Sequence, residues 1–160
     1  MNDNNTIDRI DERILELLQL DARVPVSKLA EKIGLSVPAC YRRISRLRKI
    51  GVIVKETAIV SPKSLGWPLS MIVLITLERE GTKTTNELMS KYQKEPAILD
   101  AWQITGEYDF VLRVIAQDME SFDSLMIRLL SRDDRIKTFR TQVVIKQTQG
   151  SSVIPAGIER

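Results

Sequence analysis

The stretch Leu29-Ala30-Glu31-Lys32-Ile33-Gly34-Leu35-Ser36-Val37-Pro38-Ala39-Cys40-Tyr41-Arg42-Arg43-Ile44-Ser45-Arg46-Leu47 decides the fold of the first third of the chain. It holds the end of one helix and the start of another with almost nothing between them. Leu29, Ala30 and Ile33 recur at helical spacing and form the apolar face of a short helix, for which Ser27 is the expected N-cap. Gly34 follows, where a helix commonly ends in the left-handed conformation that glycine adopts without steric cost. Only Leu35 separates it from Ser36, the expected N-cap of the next helix. Pro38 falls in that helix's first turn, where a missing N–H is tolerated. Two helices joined by so tight a turn form a helix-turn-helix.

The second of these helices is expected from Val37 to Lys49. At about 100° per residue, Cys40, Ile44 and Leu47 share one face and pack inward. Arg42, Ser45, Arg46 and Lys49, with Pro38 and Ala39 at the start, point largely away. Arg43 borders the apolar stripe, within reach of either an acidic residue of the preceding helix or a flanking phosphate. That first helix is expected from Asp8 to Leu20 on the stripe Ile7, Ile10, Ile14, Leu17 and Leu18, with acids toward its N-terminal half. Cys40 reads as a small core residue rather than a redox sensor.

Between Glu31 and Glu56 there is no acidic residue, whereas Lys32, Arg42, Arg43, Arg46, Arg48, Lys49 and Lys55 are basic. Charge alone suits a solvated face as well as a polyanion. Charge on the outer side of a helix-turn-helix favours double-stranded DNA. Such a helix lies in the major groove, and arginine's planar fork can bind guanine O6/N7 or phosphate with two hydrogen bonds. The candidate DNA contacts are Ser36, Pro38, Ala39, Tyr41, Arg42, Arg43, Ser45, Arg46 and Lys49. Arg42 and Arg46 lead that set, and Ser36 and Tyr41 are placed at phosphate or the groove edge.

After Gly51, the segments Val52-Ile53-Val54 and Thr57-Ala58-Ile59-Val60 are strand-like and could form a small β wing or a linking strand. Ser61-Pro62-Lys63-Ser64-Leu65-Gly66 is rich in turn formers and marks a boundary. Regular alternation follows. The expected elements are a strand at Leu69–Leu77, a helix at Thr82–Lys94 with Leu88, Met89 and Tyr92 inward, a strand at Ile98–Thr105 and a turn at Gly106–Asp109. Next come a strand at Phe110–Ala116, a helix capped by Asp118 with the stripe Phe122, Leu125, Met126, Leu129 and Leu130, and a strand at Thr138–Thr148. The order βαββαβ is that of a ferredoxin-like unit, whose helices cover one sheet face only. Val73, Ile75, Trp102, Ile104, Val111, Arg113, Val143 and Ile145 cannot all face those helices. Sheet-to-sheet pairing in a homodimer is the economical cover. Trp102 therefore reads as a core or interface aromatic. The expected fold class is α+β, with a winged-helix-like helix-turn-helix domain at 1–62, a ferredoxin-like domain at 63–150 and a tail at 151–160.

Composition narrows the chemistry. The 160 residues are 43% hydrophobic and 28% charged, which suits a packed fold. Net charge is +3, with the basic excess in the first 64 residues. With one cysteine and no histidine, an internal disulfide and a Cys/His zinc site within one chain are excluded, and the commonest general base is missing. Glu107 and Asp109 would be the carboxylate pair of an enzyme. Their i, i+2 spacing is common, nothing converges on them, and no phosphate-binding glycine loop occurs. No enzyme activity, metal or resident cofactor is expected. The polar N-terminus lacks a secretory signal and no apolar run is long enough to span a bilayer, so a cytoplasmic protein without membrane partners is expected.

Two further sets of residues carry a resemblance. One is Ile7-Asp8-Arg9-Ile10-Asp11-Glu12-Arg13-Ile14-Leu15, Asp21-Ala22-Arg23, Leu29 to Ser36, Arg42 to Leu47 and Gly51-Val52-Ile53. The other is Thr105-Gly106-Glu107-Tyr108-Asp109-Phe110. Together they resemble the Lrp/AsnC family of transcription regulators over residues 7 to about 148. The resemblance implies a sequence-specific regulator associated with a bacterial or archaeal nucleoid. It also implies homodimers that assemble into octamers as tetramers of dimers, and an amino-acid effector bound near the Gly106–Asp109 turn where dimers meet. Glycine permits close backbone approach by a ligand and an acidic side chain can bind an ammonium group. The candidate effector contacts are Gly106, Glu107, Tyr108 and Asp109, with hydroxyls from Thr138 and Thr141. Glu107 stands where relatives frequently have asparagine or aspartate. An ordinary hairpin with Tyr108 packed as a core or interface aromatic is the plainer reading of the same turn. A DNA-bending or chromosome-organising protein would share the first motif, and the ratio of specific to non-specific affinity separates the two roles.

Overall fold

The computed structural model describes residues 6–79, 81–147 and Ile154. It divides into two compact units, with the first break between Ala58 and Ile59.

The first unit holds α1 (Arg9–Leu20), α2 (Val26–Ile33) and α3 (Val37–Lys49). Helix α1 opens on a capping box built from two aspartates. The Asp8 carboxylate accepts the Asp11 amide at 2.8 Å, and the Asp11 carboxylate accepts the Asp8 amide at 3.2 Å. Helix α2 begins one residue before Ser27, which lies inside it. Pro25 holds the cap position without a side-chain bond, so the serine cap expected there does not form. Proline is tolerated because the N–H it lacks has no helical partner at that end. The joint between α2 and α3 is as expected. Gly34 has φ 76°, and Ser36 accepts the Ala39 amide at 3.4 Å. Ile14, Leu29, Ala30, Cys40, Ile44 and Leu47 form the buried centre of the three helices. Burial raises the Cys40 thiol pKa, which keeps it protonated and suits a core role.

No wing follows α3. Residues 52–60 contain no strand, and Val54, Ile59 and Val60 are exposed. Their β-branched composition favours extended chain, but a strand needs a hydrogen-bonded neighbour, and this chain supplies none there. The backbone of Ile154 meets α1 through a reciprocal pair of bonds with the Gln19 amide, at 2.7 and 3.2 Å. The rest of the segment 151–160 lies outside the described residues.

The second unit starts with a 3-10 turn at Pro62–Leu65. Its elements are β1 (Leu69–Leu77), α4 (Thr82–Gln93), β2 (Ile98–Gln103), β3 (Phe110–Ala116), α5 (Met119–Met126) with a π-helical turn at Ile127–Ser131, and β4 (Ile136–Val143). The sheet is antiparallel in the order β2-β3-β1-β4, the ferredoxin-like arrangement. Met71, Val73, Ile75 and Leu77 alternate inward on β1. They join Phe110, Leu112, Val114, Leu88, Tyr92, Phe122, Leu125, Met126, Leu129 and Leu130 in one core. The Tyr92 and Phe110 rings meet edge to face at 5.7 Å and 80°. Strand β4 begins two residues earlier than expected and ends at Val143, while Thr148 lies outside the described residues.

Asp133 sets that early start. Its carboxylate accepts from Arg135 Nε and Nη2 at 2.7 Å and from Lys91 Nζ at 2.9 Å, turning the chain into β4. The Arg135 bonds, with help from Lys91 and against burial, hold the Asp133 pKa well below the usual carboxylate range. A carboxylate whose pKa is depressed on folding stabilises fully above its unfolded pKa of about 3.9 and loses that contribution as pH falls further. The stability gap between the wild type and Asp133→Asn should therefore shrink as pH is lowered from about 6 to about 3. Thermal melts across that range test this, and a gap independent of pH would remove Asp133 from the acid response.

Candidate nucleic-acid interface and ligand turn

Helix α3 sorts its side chains into three faces. Cys40, Ile44 and Leu47 are buried. Pro38, Arg42, Ser45 and Lys49 are exposed on the opposite side, with Ser36, Val37 and Tyr41 also exposed and Ala39 half-buried. Arg42 and Lys49 make no ion pair among the described residues, so their charges are open to solvent. These residues form one continuous basic surface with an aromatic at its edge, as the sequence reading placed them.

Arg43 and Arg46 lie elsewhere. Arg43 Nη1 donates to Asp8 at 2.6 Å and to Asp11 at 3.0 Å. This is the acidic partner on the first helix that its position anticipates. Those two carboxylates raise the Arg43 pKa still further. Burial opposes the shift at Asp8, but the Asp11 amide and Arg43 together hold the Asp8 pKa below its ordinary value. Arg46 was expected to point outward with Arg42, and here the structure corrects the reading. Its Nη2 donates to Asp11, and its Nη1 reaches the Thr6 carbonyl at 3.3 Å. Arg46 sits about 120° from the centre of the apolar stripe, a flanking position from which a long side chain can turn either way. A wholly buried carboxylate on α1 decides the direction. On the other flank Arg48 is held by Glu56, with Nε and Nη2 at 3.1 and 3.0 Å from the two carboxylate oxygens. The residues that the sequence reading left out are thus Asp8, Asp11 and Glu56. For Asp8 and Asp11 the available signal was two acids three apart, preceding a helix whose arginines are also three apart.

In the second unit the turn between β2 and β3 is built around Asp109. Its carboxylate accepts the Leu77 amide at 2.7 Å, and its own amide donates to the Ile75 carbonyl at 2.8 Å. The first bond falls at the register shift between Thr76 and Leu77, so one Asp109 oxygen serves the sheet. Gly106 has φ 119°, a conformation that side chains disfavour, and a Cβ there would face open space. Glu107 is exposed, and Tyr108 accepts a bond from Arg140 Nη1 at 3.2 Å. The two threonines do not converge. Thr138 pairs with Thr76 on the sheet face away from the helices, whereas Thr141 pairs with Val73 on the helix-covered face. Residues three apart on a regular strand point to opposite faces. Only Thr138 shares a face with Arg140 and Thr76.

Among the described residues no cluster fit for a metal ion occurs, and no helix is long and apolar enough to cross a membrane.

Comparison with known proteins agrees with both units. Residues 7–48 match the AsnC-type helix-turn-helix domain, and residues 70–154 match the Lrp/AsnC ligand binding domain. The chain is 37% identical to an uncharacterised HTH-type transcriptional regulator of Sinorhizobium fredii, over 95% of this chain and 90% of that one. It is 32% identical to the leucine-responsive regulatory protein of Rhizobium meliloti, over 89% and 92%. Among solved structures, a transcriptional regulator of Neisseria meningitidis in complex with L-Met superposes with a TM-score of 0.84 at 25% identity, covering 94% of this chain and 97% of that one. Escherichia coli AsnC gives a TM-score of 0.79 at 25% identity, covering 91% and 96%. These are transcription regulators, not enzymes. A DNA-binding helix-turn-helix followed by a four-stranded antiparallel ligand-binding domain, matched over nearly the whole chain, places this protein in the Lrp/AsnC family of transcriptional regulators.

Proposed function

We propose that the chain is a sequence-specific regulator that reads DNA with the outer face of α3 and is modulated by a small amino acid bound at the Gly106–Asp109 turn. The observation that carries the DNA half is the solvent-open charge of Arg42 and Lys49 beside Ser36, Pro38, Tyr41 and Ser45. Arg42 leads this set, while Arg43 and Arg46 are tied to Asp8 and Asp11 of α1. The ligand half is supported by the open space before Gly106 and the exposed Glu107 carboxylate, which suits an ammonium group. L-Met in the Neisseria meningitidis relative supports an amino acid as the ligand class. The working form is a homodimer joined through the sheet, assembling further into an octamer, in the cytoplasm with the nucleoid.

Arg42→Ala should weaken DNA binding and leave dimerisation intact. Loss of one phosphate contact should lower the slope of log affinity against log salt by about one unit. Anisotropy titrations at several salt concentrations read this, and unchanged affinity at all of them would take Arg42 off the interface. For the ligand, a thermal-shift panel of the common amino acids should contain at least one that raises the melting temperature. A ligand at 100 times its Kd adds about 2.7 kcal/mol to the folded state. Gly106→Val should abolish the shift by straining the turn. If no amino acid stabilises the wild type, the sensor half of the reading fails and the DNA half stands.

A further inference from the structure

The basic face of α3 is smaller than its sequence suggests, and Asp11 is the reason. Its side chain is wholly buried at the N-terminal turn of α1. It accepts from Arg43, from Arg46 and from the Asp8 amide, while Asp8 takes a second bond from Arg43. Two carboxylates thus answer two guanidinium groups, and Glu56 answers Arg48. A surface pair such as Arg13–Glu16 is screened by salt and gives way readily to a phosphate. A buried carboxylate cannot be hydrated in place, so its arginines leave it only at high cost.

We propose that Asp11 is a positioning residue that sets the charge α3 shows to DNA. With Asp8, it withholds Arg43 and Arg46 from phosphate and leaves Arg42 and Lys49 to carry the sequence-independent attraction. The consequence is selectivity. Non-specific affinity rises with every phosphate neutralised, and discrimination improves when surplus cations are held back. The proposal rests on the reading of α3 as the DNA-contact helix.

The test is binding of the full chain to a random-sequence DNA duplex at several salt concentrations. The proteins compared are the wild type, Asp11→Asn, Asp8→Asn and Asp21→Asn. Each substitution adds one unit of positive charge, but Asp21 makes no bond to α3. Asp11→Asn should steepen the slope of log affinity against log salt by about one unit and Asp8→Asn by less, because Asp11 still holds Arg43 there, while Asp21→Asn leaves it unchanged. Affinity of Asp11→Asn would then fall about threefold more than in the wild type between about 50 and about 200 mM salt. Asparagine caps a helix as well as aspartate, and its Oδ1 can still accept the Asp8 amide. If Asp11→Asn nevertheless does not fold, Arg43→Gln, which leaves Asp11 paired with Arg46, carries the test, because a withheld arginine is removed without making the slope shallower. An unchanged slope in a folded Asp11→Asn overturns the proposal. So does a shallower one there or in Arg43→Gln, which would mean that the held arginines already touch phosphate. Wild-type binding that ignores salt would overturn the DNA reading of α3 and the proposal with it.

Discussion

Ile14→Ala should unfold the DNA-binding unit and leave the sheet unit folded. Ile14 is fully buried among Leu29, Cys40, Ile44 and Leu47, where the three helices meet. Truncating a buried isoleucine to alanine costs about 2–5 kcal/mol through lost transfer energy and the cavity left behind. A unit of about 60 residues has only roughly 3–8 kcal/mol in hand. The single change therefore removes most of the margin. The core around Met71, Phe110 and Leu112 belongs to the other unit and does not contain Ile14. The expected result is a melt in two steps, with helical signal lost at low temperature, DNA binding abolished and self-association retained. Circular dichroism, anisotropy and sedimentation velocity read the three. A variant that melts once, cooperatively, and binds DNA normally would show that this packing is not what sustains the helix-turn-helix.

The three helices were legible because their signals are local. Gly34, Ser36 and Pro38 punctuate within five residues, and the stripe Cys40, Ile44, Leu47 needs only the helical period. The sheet unit was legible for a similar reason, since the nearly continuous apolar run of β1 and the Asp118 cap can be read from short windows, whereas which β1 residues face inward cannot. What was not legible depends on partners distant in the chain. Arg46 and Asp11 meet across 35 residues, and only the packing of α1 on α3 brings them together. The strand-like 52–60 has the composition of a strand without a neighbouring edge to pair with. Thr138 and Thr141 lie within both the expected and the observed strand, so the strand period alone separates their faces, and their pairing at one site was legible as wrong from the sequence. At the candidate ligand turn, Gly106 could be picked out by residue type. The use of Asp109 as a structural acceptor for the Leu77 amide could not, because it arises from a bulge in a neighbouring strand.

Trp102→Asp should convert the proposed dimer to monomers. Cross-strand register aligns Trp102, Val111, Leu74 and Arg140 in one row on the sheet face away from the helices, and Asp100, Arg113, Ile72 and Gln142 in the next. Ile72, Leu74 and Val111 are half-buried and Trp102 is 47% exposed, so in one chain this face is an apolar strip edged by an Asp100–Arg113 ion pair. Two copies meeting on a two-fold axis place the same patch on both sides. A carboxylate at position 102 then enters the interface twice, with Asp100 already on the same face and Arg113 already paired. Burying charges without partners costs several kcal/mol, so the dissociation constant should rise at least about 100-fold. The protomer itself should fold, because this side chain is outside the core. Sedimentation velocity reads the change, and an unchanged dimer would mean that the sheet face is not the interface. The consequence for DNA follows from geometry. One α3 with two open cations holds a half-site weakly, and affinity for a full site depends on a second copy held at fixed separation. Trp102→Asp should therefore weaken binding to a two-half-site operator far more than binding to a single half-site, although no residue of α3 has changed.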